Sequence, residues 1–331
     1  MPGSHGAAEP AQGLVRRWTP TYDISLRAVL GVLGRGPRLA TCRDVDGVIW
    51  RTSRTPQGPV AQRLERLRDG DVESRTWGPG ASWAAETLPA LLGAADDGEL
   101  PDPGLFARSP FAAVREAPRR WGSRWRVPST GVVLETLVLA VLEQRVTGME
   151  SQRAWQQLLR DHGEAAPGPR AGDGVRPGQA VPPGMRVPPD ATTWAMVPSW
   201  EWHAAGVEQA RSRTVVAAAR AAGRLEECVG MPHEAARSRL RAVPGVGVWT
   251  AAEVAVRALG DPDAVSFGDA HLAANVVHAL TGAEDGDDDA MAALLAPSAG
   301  ARYRAVRLVE LTMPGRPRRG PRYSPLDHRR R

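Results

Sequence analysis

The chain has 331 residues, enough to bury a sizeable core and more in keeping with two domains than one. Its 42 Lys+Arg stand against 37 Asp+Glu for a formal charge of +5, and all 42 are arginine. Ala, Gly and Pro are abundant as well, a pattern of GC-rich coding that makes the Arg excess weak support for an anionic partner. Only Cys42 and Cys228 are present, which excludes a four-cysteine iron–sulfur cluster and disfavours structural zinc. The chain lacks an apolar signal core and any run of the ~18–20 apolar residues that a membrane span needs, so a soluble cytoplasmic protein is expected.

Residues 1–20 are rich in Gly, Ala and Pro and read as a disordered tail. Next, Ile24, Leu26, Ala28 and Leu30 alternate with Asp23, Ser25 and Arg27, the pattern of a half-buried strand. Asp46-Gly47 lies between two apolar-polar runs and signals a two-residue hairpin. Stretches 60–67 and 72–77 around Asp69-Gly70 suggest another. Ser82 is placed to cap a helix over 83–92. Residues 21–115 are therefore expected to form an α+β domain on an antiparallel sheet. The stretch 116–128, with clusters at Arg119, Arg120, Trp121 and at Arg124, Trp125, Arg126, reads as a linker.

From residue 129 the pattern turns helical through 315. Leu134, Leu137, Val138, Val141 and Leu142 give 133–146 an apolar helical face. The Pro/Gly-dominated stretch 164–190 has no periodicity and reads as a flexible insertion. Asp190 reads as an N-cap by type and position, and a helix follows over 207–222. At 240–275 a short helix ends near Val243, and Pro244, Gly245, Val246 and Gly247 form a tight turn. A second helix runs over 248–259, and Asp269 stands at the entry of a third. Helices over 290–295 and 302–311 close the pattern. Arg302, Tyr303, Arg304 and Arg307 are candidates to line a DNA groove. The tail 316–331 holds seven arginines against one aspartate, suited to non-specific, salt-sensitive binding.

A glycine-centred turn between helices exposes the first N–H groups of the following helix, a ready anion site. Pro244 fixes a backbone angle, while Gly245 and Gly247 allow conformations that other residues resist and leave room for a phosphate. An ordinary αα turn with a glycine cap would explain a bare G-x-G. Here the pattern L-x-x-V-P-G-V-G-x-W-T-A is much longer. Asp269 is a good N-cap by residue type, and a carboxylate so placed can also stabilise positive charge developing on a sugar or activate water. His271 and His278 lie near Asp269 on the next helix and read as packing or DNA-proximal residues, with no metal-ligand spacing around them.

These residues resemble the helix-hairpin-helix/Gly-Pro-Asp superfamily of DNA glycosylases, and within it the alkylpurine branch typified by 3-methyladenine DNA glycosylase II. The resemblance is carried by Val141, Leu142, Glu143, Gln144, Arg145, Val146 and Thr147. It continues in Pro244, Gly245, Val246, Gly247, Val248, Trp249, Thr250 and Ala251, then in Gly268 and Asp269 before a helix. It spans residues 129–312. The N-terminal unit fits the TBP-like antiparallel α+β domain that this branch carries, ahead of an all-α helix-hairpin-helix glycosylase domain.

The resemblance implies Asp269 as the catalytic carboxylate. It implies Trp249, Glu253, Gln144 and Ala270 in the base pocket. Pro244, Gly245, Val246, Gly247, Thr250 and Arg145 would bind DNA, with Arg145 where relatives fill the gap left by a flipped base. Glu253, Ala270 and Ser298 stand where relatives have pocket aromatics. Trp249 stands where lyase-competent relatives have a Schiff-base lysine, so a monofunctional hydrolase is expected. The implied partner is double-stranded DNA, bound by a monomer. No organic cofactor, iron–sulfur cluster or catalytic metal is implied; a monovalent cation on hairpin carbonyls is. The competing expectations are a catalytically silent DNA-binding or lesion-sensing protein, and a glycosylase for a bulkier lesion admitted by Ala270.

Overall fold

The computed structural model describes residues 13–34, 39–99, 102–171, 173, 176 and 178–313. A five-stranded sheet comes first: β1 (Leu14–Trp18), β2 (Cys42–Val45), β3 (Val48–Thr55), β4 (Gly58–Arg66) and β5 (Val72–Trp77). The order across it is β1-β5-β4-β3-β2, and every pair is antiparallel. The Asp46-Gly47 hairpin forms as expected. Val45 pairs with Val48, and Asp46 and Gly47 take φ of 53° and 89°, the two positive angles that a type I′ turn requires. The Asp44 side chain accepts from Gly47 N–H at 2.9 Å and holds the turn.

Two N-terminal expectations are corrected. The disordered tail does not extend to residue 20, because Leu14–Trp18 is an edge strand pairing with β5; residues 1–12 lie outside the described residues. The strand expected from the alternation at 22–30 is instead the helix Leu26–Leu30. Leu26, Val29 and Leu30 satisfy helical spacing as well as Leu26, Ala28 and Leu30 satisfy a strand, and Ser25 Oγ accepts from Ala28 N–H to start the turn. The helix expected over 83–92 is present as two pieces, Ala81–Glu86 and Leu88–Leu91, with Pro89 in the first turn of the second.

Because neighbouring side chains on a strand face opposite ways, the sheet has two buried faces. One carries Ile49, Leu64 and Val72 against Leu26, Val29, Leu88, Leu92 and the helical residues Ala252, Ala255 and Val256. The other carries Trp50 and Trp77, stacked at 5.5 Å between centroids, under Ala166, Val181 and Met185. Those three belong to the expected flexible insertion. Its ends also pair as short strands, Glu164–Ala165 with Arg186–Val187. The described part of 164–190 is thus a cover for the sheet, held by buried apolar residues that a Pro/Gly-rich composition conceals.

The expected linker is likewise packed structure. It contains the helix Ala117–Trp121 and buries Ala117, Trp125 and Val127. Trp125 joins the sheet-side core, while Ala117 joins Phe106 and Val114 against Val276, Leu280, Leu308 and Val309. The remaining helices form as read. The major ones are Val133–Leu142, Gly148–His162, Gln209–Arg220, His233–Arg241, Val248–Val254, Leu272–Thr281, Asp288–Leu295 and Arg302–Thr312. Asp190 caps its helix by accepting from Thr193 N–H at 2.7 Å. Among the described residues, no helix is long and apolar enough to cross a membrane. The basic tail 316–331 lies outside the described residues.

Candidate active site at the helix-hairpin-helix turn

The helices His233–Arg241 and Val248–Val254 are joined by the turn around Gly245. Gly245 has φ +88°, and a Cβ there would fall 2.0 Å from Thr214 Oγ1. Only glycine fits both the left-handed backbone and the neighbouring helix. Gly247 differs from expectation. Its φ is −91° and an added Cβ would meet nothing within 4 Å, so its lack of a side chain keeps an exposed surface open and relieves no strain. Val243 and Val246 are buried in the helical core, and Val246 N–H donates to Val243 C=O at 3.0 Å. Val246 therefore offers neither its side chain nor its N–H to DNA. The second helix opens with Ala251 N–H donating to Gly247 C=O, which leaves the N–H groups of Val248, Trp249 and Thr250 outside its ladder.

Two further residues read as site residues turn out to brace the hairpin from behind. Gln144 Nε2 donates to Gly245 C=O at 3.1 Å and to Thr250 Oγ1 at 2.8 Å. Thr250 is buried, so its hydroxyl belongs to this brace. Gln144 is positioned there because the helix Val133–Leu142 ends just before it and Arg145 turns the chain with φ 55°. Arg145 itself is exposed beside the hairpin; a non-glycine residue in this conformation is strained and worth a functional explanation.

The acid and the hairpin meet directly. Asp269 Oδ2 accepts from Trp249 Nε1 at 3.2 Å, and Oδ1 accepts from the N–H groups of His271 and Leu272 at 2.9 and 3.0 Å. Asp269 thereby holds the turn that enters the helix Leu272–Thr281, whose N-cap position is His271 rather than the acid that residue type suggested. The loop before it is tied down by Gly268 N–H donating to Asp288 Oδ2 at 2.7 Å.

Beside Asp269 is a cavity of about 310 Å³. Its wall includes Gly31 and Val32 from the N-terminal unit, Glu253 and Arg257 from the hairpin's second helix, Ser266, Asn275, and Tyr303, Val306, Arg307 and Glu310 from the last helix. Of the residues expected in a base pocket, Glu253 lines it. Trp249 touches the site through Asp269. Gln144 is engaged on the hairpin, Ala270 is exposed, and Ser298 is buried away from the cavity. The loop turns Ala270 outward while Asp269 faces in. The aromatic of the cavity wall is Tyr303, one face of a helix that also presents Val306, Arg307 and Glu310 at i+3, i+4 and i+7. Its neighbours correct the groove expectation: Arg304 is buried and paired with Asp96, and Arg302 is paired with Asp263.

The cavity wall is charged rather than aromatic. Ser266 Oγ donates to Glu253 Oε1 at 2.6 Å, and Arg257 Nη1 lies 3.0 Å from Glu253 Oε2. Burial alone would lower the Arg257 pKa, but the charges of Glu253, Tyr303 and Glu143, with the Glu253 hydrogen bond, together override it and the net shift is upward. Burial pushes the Tyr303 phenol up to about 12. Arg257 belongs to a five-residue π-helical stretch, Ala255–Leu259, that continues the hairpin's second helix, a device frequent at functional sites. His278 Nδ1 lies 2.9 Å from Ala283 C=O and its ring packs against Phe111, a structural role. Among the described residues there is no group of three or more His, Cys, Asp or Glu able to hold a metal ion.

No family model matches the chain. In sequence it is 46% identical over 68 residues to the probable bifunctional transcriptional activator/DNA repair enzyme AlkA of Mycobacterium tuberculosis. That match spans 20% of this chain and 14% of the relative's length. In fold it is similar to a 3-methyladenine DNA glycosylase from Archaeoglobus fulgidus, with a TM-score of 0.67 and 17% identity over 89% of this chain and 97% of the other. It is also similar to the 8-oxoguanine glycosylase/lyase of Clostridium acetobutylicum, with a TM-score of 0.64 and 10% identity over 92% of this chain and 100% of the other. The chain shares the fold of these two solved DNA glycosylases and, over 68 residues, a sequence likeness to a probable bifunctional transcriptional activator/DNA repair enzyme AlkA.

Proposed function

We propose that the protein is a monofunctional DNA glycosylase of base-excision repair that hydrolyses the glycosidic bond of alkylated purines, of the 3-methyladenine and 7-methylguanine type, and leaves an abasic site. The observation that carries this reading is the Trp249–Asp269 hydrogen bond of 3.2 Å at the edge of the cavity. It joins the turn suited to gripping a phosphate to the acid suited to the sugar.

The open N–H groups of Val248, Trp249 and Thr250 donate to a phosphate of the lesion strand, a contact that reads no sequence. Gly247 leaves the surface bare where the strand approaches. A monovalent cation on the second lone pairs of the Val243 and Gly245 carbonyls would add positive charge beside that phosphate. The damaged nucleotide leaves the stack, at a cost of a few kcal/mol, and its base enters the cavity. Arg145, exposed beside the hairpin, stacks in the vacated gap in this reading.

As the C1′–N bond breaks, its electron pair departs with the base and positive charge grows on the sugar. Asp269 stabilises that charge and accepts a proton as water adds to C1′. Alkylation at a ring nitrogen makes the base a good leaving group, so little further activation is needed. With no lysine in the 331 residues, no lysine side chain can form an imine with the sugar, which supports hydrolysis without strand cleavage.

The test is release of free base from methylated duplex DNA by the wild type and Asp269→Asn. The variant is expected to bind DNA and release no base above the spontaneous rate. Near-wild-type release by the variant would overturn the assignment.

A further inference from the structure

We infer that Asp288 is a positioning residue for the acid: its carboxylate holds the Gly268 N–H and thereby sets where Asp269 stands at the cavity. This rests on the glycosylase reading above and adds to it a residue from outside the cavity wall.

Asp269 is aimed by hydrogen bonds to both of its oxygens. Oδ2 accepts from Trp249 Nε1, and Oδ1 accepts from the N–H groups of His271 and Leu272. Two of those three donors are backbone groups of the turn itself, so the carboxylate points wherever the turn is set. The loop that leads into the turn has two anchors. Ser266 Oγ donates to Glu253 Oε1 at 2.6 Å, and Gly268 N–H donates to Asp288 Oδ2 at 2.7 Å. Gly268 has φ +85°, and a Cβ added there would meet nothing within 4 Å. A glycine backbone is the least restricted of any residue's. The bond to Asp288 therefore restrains the peptide directly before the acid.

The segment around Asp288 is built to deliver that bond. Asp287 Oδ1 accepts from Ala290 N–H at 2.9 Å and caps the helix Asp288–Leu295, which leaves the Asp288 carboxylate for the loop. A Cβ on Gly286 would fall 2.4 Å from Val277 Cβ, so only glycine lets this segment lie so close to the helix Leu272–Thr281. Met291 and Leu295 then join Val276, Val277 and Leu280 in one core. The helix that Asp269 leads into thus carries, packed on it, the residue that restrains the loop. Asp288 and Asp289 both lie in the first turn and both suit the helix dipole; the bond to Gly268 sets Asp288 apart. A catalytic group misplaced by about 1 Å can cost about a hundredfold in rate. Losing this restraint should therefore slow the chemical step and spare the binding of DNA.

The experiment measures single-turnover release of free base from methylated duplex DNA, and duplex binding by anisotropy, for the wild type, Asp288→Ala and Asp288→Asn. Alanine removes the acceptor, whereas asparagine keeps an oxygen able to accept from Gly268 N–H. Asp288→Ala is expected to lower release about tenfold with duplex binding unchanged, and Asp288→Asn to restore wild-type release. In the DNA-free protein, the Trp249 indole N–H resonance, assigned through Trp249→Phe, should shift in the alanine variant and stay in place in the asparagine variant. Wild-type release by Asp288→Ala, equal losses in the two variants, or a loss matched by weaker duplex binding would overturn the inference while leaving the glycosylase reading intact. If the wild type itself releases no base, the glycosylase reading fails, and the indole resonance alone upholds or overturns the positioning of Asp269.

Discussion

Replacing Gly245 with alanine tests the hairpin where its geometry is most constrained. The new Cβ would lie 2.0 Å from Thr214 Oγ1 and 3.1 Å from Thr214 Cβ, on a backbone held at φ +88°. A left-handed conformation at a residue with a Cβ costs about 1–2 kcal/mol. Relieving the clash requires Thr214 to rotate, which breaks its 3.1 Å hydrogen bond to Ala210 C=O, for about another 1 kcal/mol. The expected loss of stability is therefore about 2–3 kcal/mol, with any remaining misfit displacing the turn itself. Urea unfolding measures the first effect and fluorescence anisotropy with a labelled duplex measures the second, as weaker binding. Thr214→Ala removes the 2.0 Å contact but not the backbone strain. The double variant should thus recover about 1 kcal/mol relative to Gly245→Ala, a coupling that neighbouring sites show. An alanine at 245 that unfolds within about 0.5 kcal/mol of the wild type and binds DNA equally well would refute the reasoning.

Gly247→Ala should leave stability within about 0.5 kcal/mol, because its added Cβ meets nothing within 4 Å, yet weaken DNA binding if the phosphate is gripped there. Unchanged binding by anisotropy would remove Gly247 from the interface. Asp96→Ala should cost about 3–5 kcal/mol in urea unfolding, since Arg304 and Asp96 are 1% and 3% exposed and Arg304 would keep only the exposed Asp97 carboxylate, 3.9 Å away; a loss under about 1 kcal/mol would contradict a buried ion pair. Burial acts to raise the Asp263 pKa, but the Arg302 hydrogen bonds, with those of the Gly300 and Arg302 N–H groups, override it and the net shift is downward. A depressed native pKa contributes stability above the ordinary aspartate pKa that is lost as the pH falls through the native one. Asp263→Asn should flatten that acid limb of the stability curve; an unaltered limb would remove Asp263 from it.

Much of the helical half was legible because its signals are local. Apolar spacing marked the helices, residue type marked Asp190 as a cap, and Asp46-Gly47 marked a turn whose two positive φ angles few other pairs adopt. The hairpin was legible for the same reason: its proline, glycines and flanking helices form one short continuous pattern. Alternation over 22–30 misled because five residues satisfy helical and strand spacing together, and Ser25 broke the tie by capping. The stretches 116–128 and 164–190 misled because composition records chain stiffness and polarity, while packing depends on a few residues such as Trp125, Val181 and Met185 meeting distant partners.

By itself the sequence determined the hairpin, the acid twenty residues after its tryptophan, the absence of lysine and the shortage of cysteine. These are matters of residue identity and short spacing, which bond geometry and side-chain chemistry translate directly. Only the tertiary structure decided which side chains surround the acid. It turned Gln144 and Thr250 onto the back of the hairpin, turned Ala270 outward, and brought Val32, Arg257, Tyr303 and Arg307 to one cavity. Those four come from three separate stretches of chain, and their meeting depends on how the N-terminal unit and the last helix pack against the hairpin. The local sequence carries no record of that packing, so the charged character of the cavity emerges only when the chain is folded.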